Sequence, residues 1–104
     1  MGRYVAERVA SRLGKTILEL GGNNAIIVTP SADLEIAIPG IVFGSVGTCG
    51  QRCTTTRRLI IHESIYDQVK TQLVRAYQQL DSRIVNPLSE GILIGPMIDV
   101  EAVK

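Results

Sequence analysis

Lys15-Thr16-Ile17-Leu18-Glu19-Leu20-Gly21-Gly22-Asn23-Asn24-Ala25-Ile26-Ile27-Val28 is a pair of short apolar runs broken by two glycines. Short runs of aliphatic and β-branched residues bounded by turn residues read as strands. Residues 15–20 and 25–28 are therefore expected as strands, the second ended by Pro30. Upstream, residues 3–13 set Val5, Val9 and Leu13 four apart with Ala6 and Ala10 alongside, an amphipathic helix closed by Gly14. Downstream, Ser31 is the expected N-cap of a second helix, with Asp33 and Glu35 in its first turn. Leu34, Ile38, Ile41 and Ser45 keep helical spacing there, and Pro39 should kink that helix or mark a later start. Arg57–His62 is a third expected strand. Ser64 then caps a helix whose stripe is Ile65, Val69, Leu73, Tyr77 and Leu80. Beyond Asn86-Pro87 the pattern turns irregular, with a turn at Gly95-Pro96 and a helix opening over 100–104.

Helices alternating with strands imply an α/β fold, a sheet with helices packed on it. Three short strands make a poor sheet by themselves. Apolar strands such as 25–28 want cover on both faces, and bare edges invite pairing. A chain that starts inside one helix and stops at the opening of another reads as an internal fragment of a larger fold.

Composition narrows the function classes. Eleven basic residues against ten acidic ones leave a net charge of +1, with no basic patch for nucleic acid and no polybasic arm for a membrane. The uncharged run Ile36–Gly50 is 15 residues long and interrupted by Pro39 and Gly40. A bilayer-spanning helix needs about 20 apolar residues, so a buried helix is expected instead. The N-terminus carries Arg3, Glu7 and Arg8 and lacks the apolar core of a secretory signal. Cys49 and Cys53 alone build no disulfide framework and suit a reducing compartment; the expected location is cytoplasmic.

Two motifs carry chemistry. In Leu18-Glu19-Leu20-Gly21-Gly22-Asn23-Asn24, a carboxylate ends a strand and two glycines follow, where open α/β sheets place ligands and where backbone can approach a ligand closely. In Gly47-Thr48-Cys49-Gly50-Gln51-Arg52-Cys53-Thr54-Thr55, a cysteine follows an apolar helix and a glycine turn with a cation, Arg52, beside it. Singly, each has an ordinary reading: a surface glutamate and a small buried thiol. As an ordered pair 34 positions apart they are far more specific.

That pair, Leu-Glu-Leu-Gly-Gly followed by Gly-Gln-Arg-Cys, resembles the glutamate and cysteine signatures of the aldehyde dehydrogenase superfamily, and the resemblance runs through essentially the whole chain. Leu-Gly-Gly-Asn-Asn-Ala, Gly-Gln-Arg-Cys-Thr-Thr, Arg-Arg-Leu and Ile-His-Glu-Ser-Ile look most like its α-aminoadipic semialdehyde (piperideine-6-carboxylate) dehydrogenase branch, the antiquitin group. The resemblance implies a fold in which residues 1–20 end a Rossmann-like NAD-binding domain and residues 21–104 begin an α/β catalytic domain. It implies an NAD-dependent oxidoreductase (NADP possible) of lysine catabolism, acting on a small aldehyde as a homo-oligomer. Cys53 would be the nucleophile that forms a thioester, and Glu19 the base that activates water. The Cys53 backbone N–H would form part of an oxyanion hole. Leu20 and Gly21 would line the nicotinamide side, and Gly2 would be the last glycine of the cofactor-binding turn. Arg52 would pair with a carboxylate remote from the aldehyde, its structural alternative being a salt bridge or helix C-cap.

Two positions depart from the family's pattern. Cys49 stands where a small residue such as alanine is usual; it is either a small buried side chain or a partner that traps an oxidised Cys53 as a disulfide. Val85 replaces a glycine that commonly precedes Asn-Pro or Asp-Pro. The family's oxyanion-hole asparagine and ribose-orienting glutamate correspond to nothing in these 104 residues, so no turnover is expected from the chain alone. The non-enzyme alternative is an inactive truncated remnant acting as an interaction piece. A metal site from Cys49, Cys53 and His62 matches no usual zinc spacing, and no metal is expected.

Overall fold

A computed structural model describes residues 1–104 except Val85, Ser89, Gly91, Leu93 and Lys104. The expectation attached to Val85 and the last residue of the expected C-terminal helix lie outside the described residues. The framework is β-α-β. Strand β1 (Asn24–Val28) leads into helix α2 (Leu34–Val46), and strand β2 (Thr56–Ile61) returns parallel to β1, with Ile27 paired to Ile60 and Val28 to Ile61. A bulge between Asn24 and Ala25 shifts the register at the start of β1. Helix α3 (Tyr66–Gln78) follows β2 after a short 3-10 turn, and helix α1 (Gly2–Ala10) precedes the sheet.

The period of two in the strands decides which face is covered. Val28, Ile38, Ile41, Val69 and Leu73 form one buried cluster, with Ile26, Leu59 and Ile61 packed against its edge. Helices α2 and α3 therefore cover one face of the sheet, and the expected α3 stripe supplies its Val69 and Leu73. Burying such side chains is worth about 1.5–3 kcal/mol each. Ile27 and Ile60 point the other way, 70% and 53% exposed. The expected cover is thus present on one face only.

Four local expectations need correction. Lys15–Leu20 is not a strand: its residues carry no regular structure and are all exposed, because a strand exists only by pairing and no partner strand pairs with it among the described residues. Helix α1 ends at Ala10 rather than at Gly14, and Leu13 takes the left-handed conformation (φ 57°) that glycine was expected to supply. Asp33, not Ser31, caps α2, its carboxylate accepting the Glu35 N–H at 2.9 Å; the Ser31 hydroxyl is engaged with that of Thr29. His62, not Ser64, caps the turn before α3, with Nδ1 accepting the Ser64 N–H at 3.2 Å.

Helix α2 continues through Pro39, which lies inside it and offers no backbone donor. Gly95-Pro96 is irregular rather than a turn, and Glu101–Val103 forms a single 3-10 turn. No helix among the described residues is long and apolar enough to cross a membrane.

Candidate active site

The exit from α2 builds the cysteine loop. Thr48, Cys49 and Gly50 all have positive φ (53°, 55° and 69°), which returns the chain sharply toward β2. Two of these are not glycine, and each such residue costs about 1–2 kcal/mol. The surrounding bonds hold the strain in place. The Gln51 N–H donates to the Thr48 carbonyl at 3.0 Å, and the Arg57 guanidinium donates to the Gly50 carbonyl at 3.1 Å. Residues 95–98 strap the loop from outside: the Cys49 thiol donates to the Gly95 carbonyl at 2.8 Å, and the Ile98 N–H donates to Gln51 Oε1 at 3.0 Å. Cys49 is thus half-buried with its thiol engaged.

Cys53 sits at the corner of the next turn. Buried Thr55 closes that turn twice: its N–H donates to the Arg52 carbonyl, and its Oγ1 accepts the Arg52 N–H, both at 3.1 Å. Cys53 is left exposed, and its own N–H has no acceptor among the described residues. Thr55→Val keeps the shape and removes the acceptor, stranding a donor in a part-buried turn. A loss of about 1–3 kcal/mol is expected, read as a lower urea midpoint with unchanged slope.

The glutamate segment is tied to this turn. Asn24 donates its side-chain amide to the Cys53 carbonyl at 2.6 Å and to the Thr55 carbonyl at 3.1 Å. Arg58 donates to the Asn23 carbonyl at 2.8 Å. A Cβ on Gly22 would lie 3.0 Å from the Cys53 carbonyl oxygen, so glycine permits the close approach. Two stretches far apart in sequence, Gly22–Asn24 and Cys53–Thr55, therefore touch. Glu19, three residues upstream of that contact, is exposed with no bonded partner among the described residues.

Sequence reasoning did not single out Asn24 or Thr55. The available signal was a carboxamide directly after Gly-Gly and a hydroxyl three residues after Arg52, both residue types that bond nearby backbone in turns.

Arg52 is half-buried. Its guanidinium lies over the Phe43 ring, 5.1 Å from the centroid, and Nη2 reaches the Phe43 carbonyl at 3.4 Å, while Nε is buried without a partner. The side chain thus rests on the C-terminal turn of α2, the helix-capping geometry anticipated as its structural alternative.

Of the residues assigned to a cofactor, Gly2 and Leu20 come together: a Cβ on Gly2 would lie 2.7 Å from a Leu20 methyl. Gly21 has open space around it. The first turn of α1 carries no acidic residue and no side-chain cap. An exposed Leu20 side chain against Gly2, with open backbone at Gly21, leaves room for a flat apolar group to lie there. Among the described residues no three His, Cys, Asp or Glu side chains gather as metal ligands, and His62 is taken up as a cap. A groove of about 660 Å³ lies between α2 and the end of α3, walled by Phe43, Leu80 and Arg83, and it includes neither Glu19 nor Cys53.

The α-aminoadipic semialdehyde dehydrogenase of Rattus norvegicus is 52% identical over the whole chain, which covers 19% of that protein. An NADP-dependent enzyme of E. coli superposes with a TM-score of 0.90 at 37% identity, over 98% of this chain and 21% of the other. Betaine aldehyde dehydrogenase of Staphylococcus aureus in complex with NAD+ superposes with a TM-score of 0.86 at 27% identity, over 96% of this chain and 20% of the other. The chain spans about a fifth of the length of the curated relatives it matches. The aldehyde dehydrogenase family model matches residues 1–104 from end to end. The chain belongs to the aldehyde dehydrogenase family.

Proposed function

We propose that residues 1–104 supply the nucleophile and the water-activating base of an NAD(P)-dependent aldehyde dehydrogenase acting on α-aminoadipic semialdehyde. The observation that carries this reading is the bonded contact between the two motifs, with the Asn24 amide on the Cys53 carbonyl and Gly22 against it. That contact brings the strand following Glu19 onto the turn bearing Cys53, as chemistry shared between the two residues requires.

In this reading the Cys53 thiolate forms the C–S bond to the aldehyde carbon, and the carbonyl π pair moves onto oxygen. The unbonded Cys53 N–H helps to hold that oxyanion. A bound NAD or NADP would supply the hydride acceptor, and loss of hydride from the adduct would leave the acyl group on Cys53 as a thioester. Glu19 then takes a proton from water as the water oxygen adds to the thioester carbon. The C–S bond breaks, the carboxylic acid leaves and the thiolate is restored. Gly2, Leu20 and Gly21 would border the dinucleotide. Arg52 pairs its guanidinium with the carboxylate at the far end of the substrate.

The test is NAD reduction with α-aminoadipic semialdehyde and with a simple aliphatic aldehyde, comparing these 104 residues with a full-length enzyme carrying them. Activity in the full-length enzyme only, preferring the acidic aldehyde, is expected. Activity in neither would sink the proposal. Arg52→Ala should weaken the acidic semialdehyde by about tenfold or more relative to the aliphatic one, the scale of a lost charge-assisted bond. Equal losses for both would remove Arg52 from recognition.

A second reading, that the isolated chain acts as an interaction piece, is favoured by the bare Ile27 and Ile60 face. Sedimentation of the isolated chain as a stable monomer would count against it.

A further inference from the structure

We propose that Phe43 and Gly47 are positioning residues that seat the Arg52 guanidinium and thereby set the preference for aldehydes bearing a remote carboxylate. This rests on the reading of Arg52 as the partner of that carboxylate. Three observations converge on the seat. The Arg52 guanidinium lies over the Phe43 ring, with its centre 5.1 Å from the centroid. Nη2 donates to the Phe43 carbonyl at 3.4 Å, a long bond that registers the side chain without satisfying it. A Cβ on Gly47 would fall on the space that Nη2 occupies.

Gly47 has φ −52° and ψ 129°, a conformation open to any residue. Glycine is therefore present to leave room rather than to bend the chain. Phe43 is 68% exposed here, so its ring adds little to the core these residues form, and it lies under the cation.

The chemistry of arginine gives the seat its consequence. A guanidinium has five N–H donors in one plane. Resting it on an aromatic ring leaves the in-plane donors free for a carboxylate approaching edge-on. Of the side-chain donors, one makes the long bond to Phe43, and Nε is buried without a partner. Among the described residues no carboxylate pairs with this cation. Fixing a long, flexible side chain before substrate arrives removes the ordering cost from binding. Preference for the acidic aldehyde then depends on the seat as well as on the charge.

The experiment measures kcat/KM for α-aminoadipic semialdehyde and for an unbranched aliphatic aldehyde in the full-length enzyme carrying this segment, and follows their ratio. Phe43→Leu and Gly47→Ala should each lower the ratio about fivefold or more, through KM of the acidic aldehyde, the size expected for a lost cation–π contact. Phe43→Trp keeps an aromatic face and should preserve the ratio. In an Arg52→Ala background neither substitution should lower it further, as expected for residues acting through Arg52. An unchanged ratio in both single variants, while Arg52→Ala collapses it, overturns the seat and leaves the Arg52 reading standing. An unchanged ratio in Arg52→Ala overturns that reading and the seat with it. Equal loss of both substrates in Phe43→Leu and Gly47→Ala marks a general structural role and also overturns the seat.

Discussion

Cys53→Ser, in a full-length enzyme carrying this segment, should lower kcat/KM for every aldehyde by about a thousandfold or more. Cys53 is an exposed free thiol at the corner of the Arg52–Thr55 turn, which the Asn24 amide ties to the segment after Glu19. A hydroxyl is mostly protonated at neutral pH, so serine keeps the shape and loses the reactive form. The turn itself is closed by Thr55 and Asn24 through backbone groups of Arg52, Cys53 and Thr55, none of which the substitution alters. Folding and dinucleotide affinity should therefore survive. Steady-state kinetics alongside a thermal melt separates the two, and a variant with near-parent activity contradicts the assignment.

Glu19→Gln should have the second-largest effect, with a different kinetic form. Under the proposed mechanism it would remove the proton acceptor for water and leave the thiol untouched. The expected loss in kcat is about a hundredfold or more, the usual contribution of a positioned general base. The first turnover should still release reduced nucleotide, seen as a burst of one equivalent per site before a slow phase. Loss of the burst together with the slow phase would place Glu19 in the first half of the reaction and contradict its role as the hydrolytic base.

The elements that were legible in the sequence are those whose pattern is complete within a few residues. The α3 stripe and the aliphatic runs of β1 and β2 are legible locally, and the structure buries Val69, Leu73 and Val28 while leaving Ile27, Ile60 and Tyr77 exposed. Lys15–Leu20 has an equally good strand composition and forms none, because strand character also needs a neighbour. The helix caps failed for a related reason. Ser31 and Ser64 are suitable cap residues, but Asp33 and His62, each two positions away, make the bonds. Boundaries turn on single hydrogen bonds that composition does not rank.

The order and spacing of Glu19 and Cys53 were visible in the chain, as was the glycine pair between Leu20 and Asn23. What holds the two segments together was not. The Asn24 amide bonds carbonyls 29 and 31 residues away, and the Gly95–Ile98 strap reaches Cys49 and Gln51 across nearly half the chain. Such bonds depend on the parallel return of β2 beside β1, which no local pattern encodes. Arg52 shows the same limit. Its place before the cysteine suggested a substrate partner, whereas its seat on Phe43 depends on how α2 ends.

The most direct test of the central claim is acid-quench mass spectrometry of the full-length enzyme carrying this segment, mixed with NAD and α-aminoadipic semialdehyde. A covalent acyl group on the peptide containing Cys53, accumulating further in Glu19→Gln, is the predicted result. Turnover with no adduct on that peptide in either protein would contradict the account.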